Sequence, residues 1–166
     1  PPVILDEQLK SLDSRLERYS KTVRYLEERL GKSTKIRFQK PGRKAERQGR
    51  FGWVMIFDDP EYANTPVDVM GEALKAEGLP PFRAEGPIYK YILFNLPPEE
   101  YRIDQSCSVT ENACARILWL LHPYLGLDDR QVEKMADAIE KIGRYMAMTM
   151  NPIVTPKKTI IMEMPA

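Results

Sequence analysis

The stretch Cys107–Leu125, CSVTENACARILWLLHPYL, decides how this chain folds. It holds both cysteines, the single histidine His122 and one of the two tryptophans, and its centre ILWLL (117–121) is an unbroken apolar run. A short apolar run rich in large side chains is typical of a strand that is buried within a sheet. We therefore predict a strand at 117–121, which follows a short helix at about 109–116.

Two helix starts show the spacing of a capping box, in which two side chains three positions apart satisfy free backbone N–H groups. Ser108 and Glu111 have this spacing before the short helix, and Asp128 and Gln131 have it before a longer one. The longer helix continues with an apolar stripe at helical spacing, which predicts that one of its faces is buried. The stripe consists of Val132, Met135, Ile139, Ile142 and Met146.

Upstream, the sequence predicts a second strand, a helix and an edge strand. RFGWVMIFDD (50–59) is largely apolar on both alternating faces, which indicates a central strand. For the helix we expect Thr65 as the N-cap, Pro66 at the first helical position and Gly78 as the terminator. The prolines of LPPFR (79–83) cannot donate ladder hydrogen bonds, so we expect a short edge strand there.

The N-terminal segment carries the clearest periodicity. Its apolar residues recur at alternating steps of four and three, as in positions a and d of a heptad repeat. This pattern predicts one long helix over about residues 4–30, ended by Gly31, with a narrow seam that packs along a partner chain or the body of the protein. The seam consists of Leu5, Leu9, Leu12, Leu16, Tyr19, Val23, Leu26 and Leu30.

The order of elements defines the fold class. A long helix, then β-α-β, then α-β-α predicts an α+β fold, with a small antiparallel or mixed sheet and helices on one face. We divide the chain into a long helix at 1–31, a small α/β domain at 32–147 and an irregular tail at 148–166, where TIIMEM (159–164) suggests a strand. Residues 86–106 are predicted to be a loop with a short helix or strand.

Composition narrows the class of protein. The 166 residues are 43% hydrophobic and 30% charged with a net charge of +1, so no strong field favours nucleic acid or a membrane surface. No apolar run is long enough to cross a membrane, the start lacks the pattern of a signal peptide, and two cysteines make no disulfide framework. We expect a cytoplasmic protein. The basic stretch 32–50 suggests either a loop that binds phosphate or nucleic acid, or a solvated connector. The connector is favoured, because aromatic residues are not interleaved through the stretch.

The residue types argue against metal chemistry. Cys107 and Cys114 lie seven positions apart, and His122 is the sole histidine, whereas a structural zinc site needs four ligands. We predict no metal site and interpret the cysteines as small hydrophobic residues. A Cys–His nucleophile pair remains an alternative.

Three residues are candidates for substrate binding. Arg83 and Tyr89 follow the predicted edge strand, where a guanidinium and a hydroxyl can reach a ligand carboxylate or hydroxyl. His122 follows the buried strand directly, at a position where functional groups are often found. The alternatives are an exposed arginine, a partly buried tyrosine and a histidine that anchors a loop.

Taken together and in order, five stretches of the chain resemble the C-terminal, small domain of the DegT/StrS-type sugar aminotransferases. Within that family they are most similar to the branch of 3-amino-5-hydroxybenzoate synthase and the scyllo-inosose aminotransferases. The likeness covers about residues 5–143, although Ser108 stands where the family signature has proline. The stretches are LDEQLKSLDSRLERYSKTVRYLEERL (5–30), FGWVMIFDD (51–59), VMGEALKAEGLPPFRAEGPIYKYILF (69–94), CSVTENACARILWLLHPYL (107–125) and QVEKMADAIEKI (131–142).

The resemblance implies the small domain of a fold-type-I enzyme that uses pyridoxal phosphate (PLP). Such a domain caps the cofactor cleft and helps to bind a keto-sugar or cyclitol, here with Arg83, Tyr89 and His122 as pocket candidates. The family's large domain, which supplies the Schiff-base lysine, is not matched in this sequence. We therefore expect PLP in a full-length enzyme, completed by a large domain or companion chain, and neither cofactor nor transaminase activity for this chain alone. The alternative is a non-catalytic dimerisation or interaction domain derived from the family, and we expect a homodimer.

Overall fold

The computed structural model describes residues 2–45, 48–90, 97–103 and 105–148. Short 3₁₀ helices connect its longer elements. The helices are α1 (Pro2–Lys10), α2 (Leu12–Ser33), α3 (Val67–Ala76), α4 (Ser108–Cys114) and α5 (Asp129–Met148), and the strands are β1 (Arg37–Phe38), β2 (Gly52–Ile56), β3 (Phe82–Arg83) and β4 (Ile117–Leu121).

The four strands form one antiparallel sheet in the order β1-β2-β4-β3. Its centre is the pairing of β2 with β4, whose register runs from Gly52 opposite Leu121 to Ile56 opposite Ile117. The strands β1 and β3 are two residues long and lie at the edges. The predicted α+β class, the central strands and the edge strand after Pro81 are therefore confirmed.

The sheet has one covered face and one open face. Trp53, Met55, Leu118 and Leu120 alternate along β2 and β4 and are buried in the same core as the apolar stripes of α2, α3 and α5. The residues between them on both strands are only partly buried. Because successive side chains of a strand point to opposite faces, these residues form the other face of the sheet.

The helix α5 begins at the predicted capping box. The backbone N–H of Gln131 donates to Asp128 Oδ1 at 2.8 Å, and the backbone N–H of Asp128 donates to Gln131 Oε1 at 3.2 Å. Each side chain thus satisfies a backbone group of the other residue. All five residues of the predicted apolar stripe of α5 are buried.

The prediction of a single N-terminal helix was wrong in one respect, because the helix is interrupted at Ser11. The Ser11 hydroxyl donates to the Gln8 carbonyl at 3.1 Å, and the Arg15 guanidinium donates to the same carbonyl at 2.8 Å. Side-chain bonds of this kind compete with the helical ladder. At the other end α2 passes Gly31 and reaches Ser33, where the Thr34 backbone N–H donates to the Leu30 carbonyl.

Two predicted helix caps were also wrong. The helix α3 begins at Val67, so Pro66 takes the preceding position and the Thr65 side chain does not cap it. The helix α4 begins at Ser108 without a side-chain cap bond, because the Glu111 carboxylate is engaged by residues of another segment, as described below. The predicted terminator of α3 is confirmed: Gly78 has a φ of 83°, the left-handed region that favours glycine.

Part of the prediction falls on residues that the structure does not describe. The suggested strand TIIMEM belongs to residues 149–166, and residues 91–96 of the predicted loop also lie outside the described residues. The described part of that loop contains the short 3₁₀ helices Ile88–Lys90 and Pro98–Glu100.

We expect Gly52→Ala to destabilise the fold, because a Cβ at this position would lie 2.5 Å from Trp119 Cε3 and 3.1 Å from the Leu120 carbonyl oxygen. Overpacking of this kind costs about 1–3 kcal/mol. Gly49→Ala is the matched control, since an added Cβ there meets nothing within 4 Å. The free energies of unfolding, measured with urea, test the pair; equal values would contradict the close packing of Trp119 over Gly52.

The two capping-box sequences give a second matched comparison. Asp128→Ala removes an observed N-cap bond and should lower the free energy of unfolding by about 1 kcal/mol. Ser108→Ala removes no cap bond and should change it by less than about 0.5 kcal/mol. Thermal and urea denaturation of both variants measure the difference, and an equal loss in the two would show that α4 is capped after all.

Candidate functional site

The open face of the sheet carries a continuous row of aromatic rings. Trp119 lies between Phe82, with ring centroids 5.0 Å apart, and Phe51, at 5.7 Å. Phe51 is 6.0 Å from the His122 ring, which is 6.1 Å from Tyr19 of α2. Phe51 is 70% exposed and Phe82 is 48% exposed. Aromatic surface that remains open to solvent is a common feature of binding sites.

Trp119 is held in place from two sides. Its indole N–H donates to the Arg83 carbonyl at 3.3 Å, which fixes the ring toward β3. Gly52 leaves room beneath the ring, since a side chain there would overlap it. The ring therefore covers Gly52 on the neighbouring strand and connects the two ends of the aromatic row.

Arg83 follows Phe82 in β3, and its side chain points to the helix-covered side of the sheet, because its partner on β4 is the core residue Leu118. Its Nη1 is 2.8 Å from both Asp68 Oδ1 and Asp68 Oδ2, and both side chains are more than half exposed. A solvent-exposed ion pair contributes little to stability. A ligand carboxylate can therefore replace Asp68 at small cost, which keeps Arg83 a usable anion-binding group beside a shallow groove lined by Lys75, Phe82 and Tyr124.

Tyr89 lies apart from the row, against the start of α4. Its hydroxyl donates to Glu111 Oε1 at 2.6 Å and accepts from the Cys107 backbone N–H at 2.8 Å. Lys90 Nζ is 3.1 Å from the same Glu111 oxygen. The Tyr89 hydroxyl thus anchors its segment to α4, and a ligand would have to displace Glu111 to reach it.

The same contacts shift two pKa values. The hydrogen bond to the Glu111 carboxylate raises the pKa of Tyr89, because a charged acceptor favours the protonated phenol. The Tyr89 hydroxyl and then Lys90 lower the pKa of Glu111 by stabilising its charged form. At neutral pH each group therefore stabilises the other, Tyr89 as the protonated phenol and Glu111 as the charged carboxylate.

His122 lies at the opposite end of β4. Its Nδ1 is 3.3 Å from the Phe51 carbonyl oxygen, and its backbone N–H donates to the same carbonyl at 3.0 Å. The imidazole is half-buried between the rings of Phe51 and Tyr19. The residue both anchors the start of β2 and presents an imidazole at the edge of the open face.

The structure does not bring the three predicted residues to one surface. His122 lies in the aromatic row, the Arg83 side chain lies on the helix-covered side of β3 beside Asp68, and Tyr89 lies against α4. The His122 ring contacts Phe51 and Tyr19, whereas Cys107 contacts Tyr89, so the alternative Cys–His pair is not assembled. The sequence analysis did not single out Trp119 as a site residue. The alternation along β4, which places Trp119 on the open face, could have identified it.

The described lysines lack the surroundings that activate a Schiff-base lysine. Each of the described lysines is exposed to solvent. A lysine that forms a Schiff base is activated by desolvation or by a neighbouring cation. Lys75, in the groove beside Arg83, instead lies 3.6 Å from the carboxylate of Glu72.

Among the described residues there is no group of three or more histidine, cysteine, aspartate or glutamate side chains that could hold a metal ion.

The fold defines an α+β domain whose antiparallel sheet is covered by helices on one face. It is similar to the crystal structure of 3-amino-5-hydroxybenzoic acid (AHBA) synthase, with a TM-score of 0.68 and 20% sequence identity. The match covers 83% of this chain and 36% of that chain. The likeness shows that the two share a fold, and this chain spans little more than a third of the enzyme's length.

Other comparisons add no further relative. No protein-family model matches the sequence, and a search of curated proteins finds no match. None of the helices that the structure describes combines the length and hydropathy needed to cross a membrane.

We expect Glu111→Gln to lower the pKa of Tyr89, since the charged acceptor that raises it becomes a neutral amide. Titration of the protein labelled with ¹³C at the tyrosine ring measures this pKa. Asp68→Asn is the matched control, because Asp68 pairs with Arg83 and should leave Tyr89 unchanged. A Tyr89 pKa unaffected by Glu111→Gln would contradict the hydrogen bond.

Proposed function

We propose that this chain is the small domain of a PLP-dependent aminotransferase of the DegT/StrS type, which acts on a keto-sugar or cyclitol. The observation that carries the proposal is the shared fold with AHBA synthase over 83% of the chain. The ordered sequence stretches that resemble the family, above all residues 107–125, support it independently.

In this proposal the domain caps the cleft that holds cofactor and substrate. When bound, PLP supplies the electron sink for amino-group transfer. Each described lysine is exposed, and the Schiff-base lysine of this proposal comes from a large domain or a companion chain. The open face of the sheet suits such a cleft, with His122 as a hydrogen-bonding group, and Arg83 offers an anion-binding group in the groove between β3 and α3.

Tyr89 has a different part in the same proposal. Its hydroxyl is engaged by Glu111 and Cys107, so it shapes the pocket by fixing the segment at residues 88–90 and contacts substrate only if that hydroxyl is released. Both cysteines are free thiols, which is consistent with the reducing cytoplasm that we propose as the location.

The basic segment 32–50 supports no separate role in nucleic-acid binding. Arg37 is paired with Asp58, and Lys32 lies 2.8 Å from Glu28. Lys40 lies 3.9 Å from Glu27. These pairs neutralise part of its charge, which favours the solvated connector.

The second candidate function is a non-catalytic dimerisation or interaction domain derived from the same family. The observation that favours it is the exposed apolar half of the N-terminal seam, with Leu5 58% and Leu9 55% exposed. A monomeric protein rarely leaves a regular apolar stripe of this kind uncovered.

The two functions predict different behaviour toward PLP. We expect the isolated chain to form no stable imine, as judged by the absorbance of PLP and by borohydride trapping with mass spectrometry. The polypeptide encoded together with the sequence upstream of Pro1 should form one and transfer an amino group to a keto-sugar or cyclitol. Absence of a lysine-bearing large domain in that reading frame and from any companion chain would contradict the aminotransferase proposal.

In that active protein, Arg83→Ala and His122→Ala should each raise KM for the keto substrate by about tenfold, equivalent to about 1.4 kcal/mol of binding. Arg130→Ala, which removes an exposed arginine from α5, is the control and should leave KM unchanged. Steady-state kinetics with a fixed amino donor measure both. Unchanged KM in the two test variants would exclude them from the pocket.

A further inference from the structure

The groove beside Arg83 lies between α3 and the edge of the sheet that is formed by β3 and the end of β4. One wall is a single face of α3, whose residues follow one another at helical spacing: Asp68, Gly71, Glu72 and Lys75. The opposite wall is mostly apolar, and its apolar residues are Pro80, Pro81, Phe82, Leu118, Leu121 and Pro123. The groove has a volume of about 720 Å³, which is within the range of pockets that hold small molecules.

Gly71 keeps the middle of this groove open. A Cβ at this position would lie 3.7 Å from Leu118 Cδ2 and 3.8 Å from Pro81 Cγ, which are ordinary contact distances. The packing of α3 therefore tolerates a side chain here, and a glycine in the middle of a helix lowers the stability of the helix relative to alanine. What the glycine provides is space between α3 and the apolar wall, at the point where a ligand would lie.

Tyr124 contributes a buried hydroxyl group to the groove. The residue is 7% exposed, and its hydroxyl forms no hydrogen bond with any residue that the structure describes. Burial raises the pKa of Tyr124, so the hydroxyl remains protonated and able to donate at neutral pH. A buried hydroxyl without a partner is unfavourable, because it has lost its hydrogen bonds to water, and an oxygen atom of a ligand would restore one of them.

The Arg83 guanidinium has donors to spare. Asp68 contacts it through Nη1 alone, which is 2.8 Å from each carboxylate oxygen. Among the described residues none bonds to its Nε or Nη2, so a carboxylate can bind there in the two-point manner that guanidinium groups favour. Lys75 Nζ, at 3.6 Å from Glu72, is beyond hydrogen-bond distance and adds a second positive charge. Because Asp68 and Glu72 balance these two charges, the groove suits one carboxylate rather than a polyanion.

The guanidinium and the buried hydroxyl belong to different ends of the groove. Arg83 is level with Leu118 in β4, whereas Tyr124 follows the end of that strand at Leu121. Three residues of strand extend about 10 Å, and the face of α3 that lines the groove has a similar length. A ligand that contacts both groups therefore needs an apolar body about 10 Å long between a carboxylate and a second oxygen.

We propose that this groove binds a small monocarboxylate with an extended apolar body and a terminal oxygen, such as a hydroxylated medium-chain carboxylic acid. Its carboxylate binds to the guanidinium of Arg83, and its body packs between Gly71 and the apolar wall. Its terminal oxygen accepts a hydrogen bond from the Tyr124 hydroxyl. The groove is formed by this chain alone, so the inference rests on no part of the aminotransferase proposal.

Titration of the ¹⁵N-labelled chain of residues 1–166, followed by NMR, tests the site with ω-hydroxyoctanoate, octanoate and the corresponding octanediol. We expect ω-hydroxyoctanoate to bind with a dissociation constant on the order of 0.1–1 mM. Octanoate should bind about fivefold more weakly, because it lacks the oxygen for Tyr124, and the diol at least about tenfold more weakly, because it lacks the carboxylate. The shift changes should be centred on Gly71 and Arg83. Binding of ω-hydroxyoctanoate no tighter than that of the diol, or shift changes centred on Trp119 of the open face, would overturn the proposal.

Three variants and a control locate the contacts. Tyr124→Phe should weaken the binding of ω-hydroxyoctanoate about fivefold and leave that of octanoate unchanged, whereas Arg83→Gln should weaken both at least about tenfold. Gly71→Leu fills the groove and should abolish both. Arg130→Gln changes an exposed arginine of α5 and should leave both unchanged. Tyr124→Phe removes a hydroxyl that no described residue bonds, so its thermal melting should match that of the unchanged chain. Undiminished binding of ω-hydroxyoctanoate to either Tyr124→Phe or Arg83→Gln would overturn the proposal.

Discussion

The pairing of β2 with β4 is the constraint on which the rest of the structure depends. Five residue pairs fix the register, from Gly52 opposite Leu121 to Ile56 opposite Ile117. A slip by one residue would move Trp53 and Met55 from the core to the open face. Both edge strands are too short to correct such a slip, so the register is maintained by the burial of the alternating side chains and by the fit of Trp119 over Gly52.

This register also creates the candidate site. One face of the sheet is covered by α2, α3 and α5, so any binding surface that the sheet offers has to be on the other. There Trp119 joins Phe82 to Phe51, and the His122 imidazole lies next to Phe51, whereas the Arg83 guanidinium lies around the edge strand, beside Asp68 of α3. An apolar surface bordered by a few polar groups orients a ligand better than either kind of group does alone.

The sequence predicted those elements whose determinants are local. The alternation in β2 and β4, the stripe of α5 and its Asp128 cap each depend on residues within a few positions of one another. Ser108 and Glu111 have the same spacing as Asp128 and Gln131, yet they form no cap. Glu111 is instead bonded by Tyr89, which lies 22 positions away in sequence, and no local rule contains that competitor. The pairing of Arg83 with Asp68 and the row of aromatic rings escaped prediction for the same reason, since each joins separate elements.

The N-terminal helices show where sequence periodicity stops being informative. Leu9 and Leu30 occupy equivalent heptad positions, yet one is 55% exposed and the other is fully buried, because the body of the protein covers only the second half of the seam. The elements that cover the buried half, α5 and the 3₁₀ helix His122–Gly126, come about a hundred residues later in the chain, so the periodicity of the seam contains no information about them.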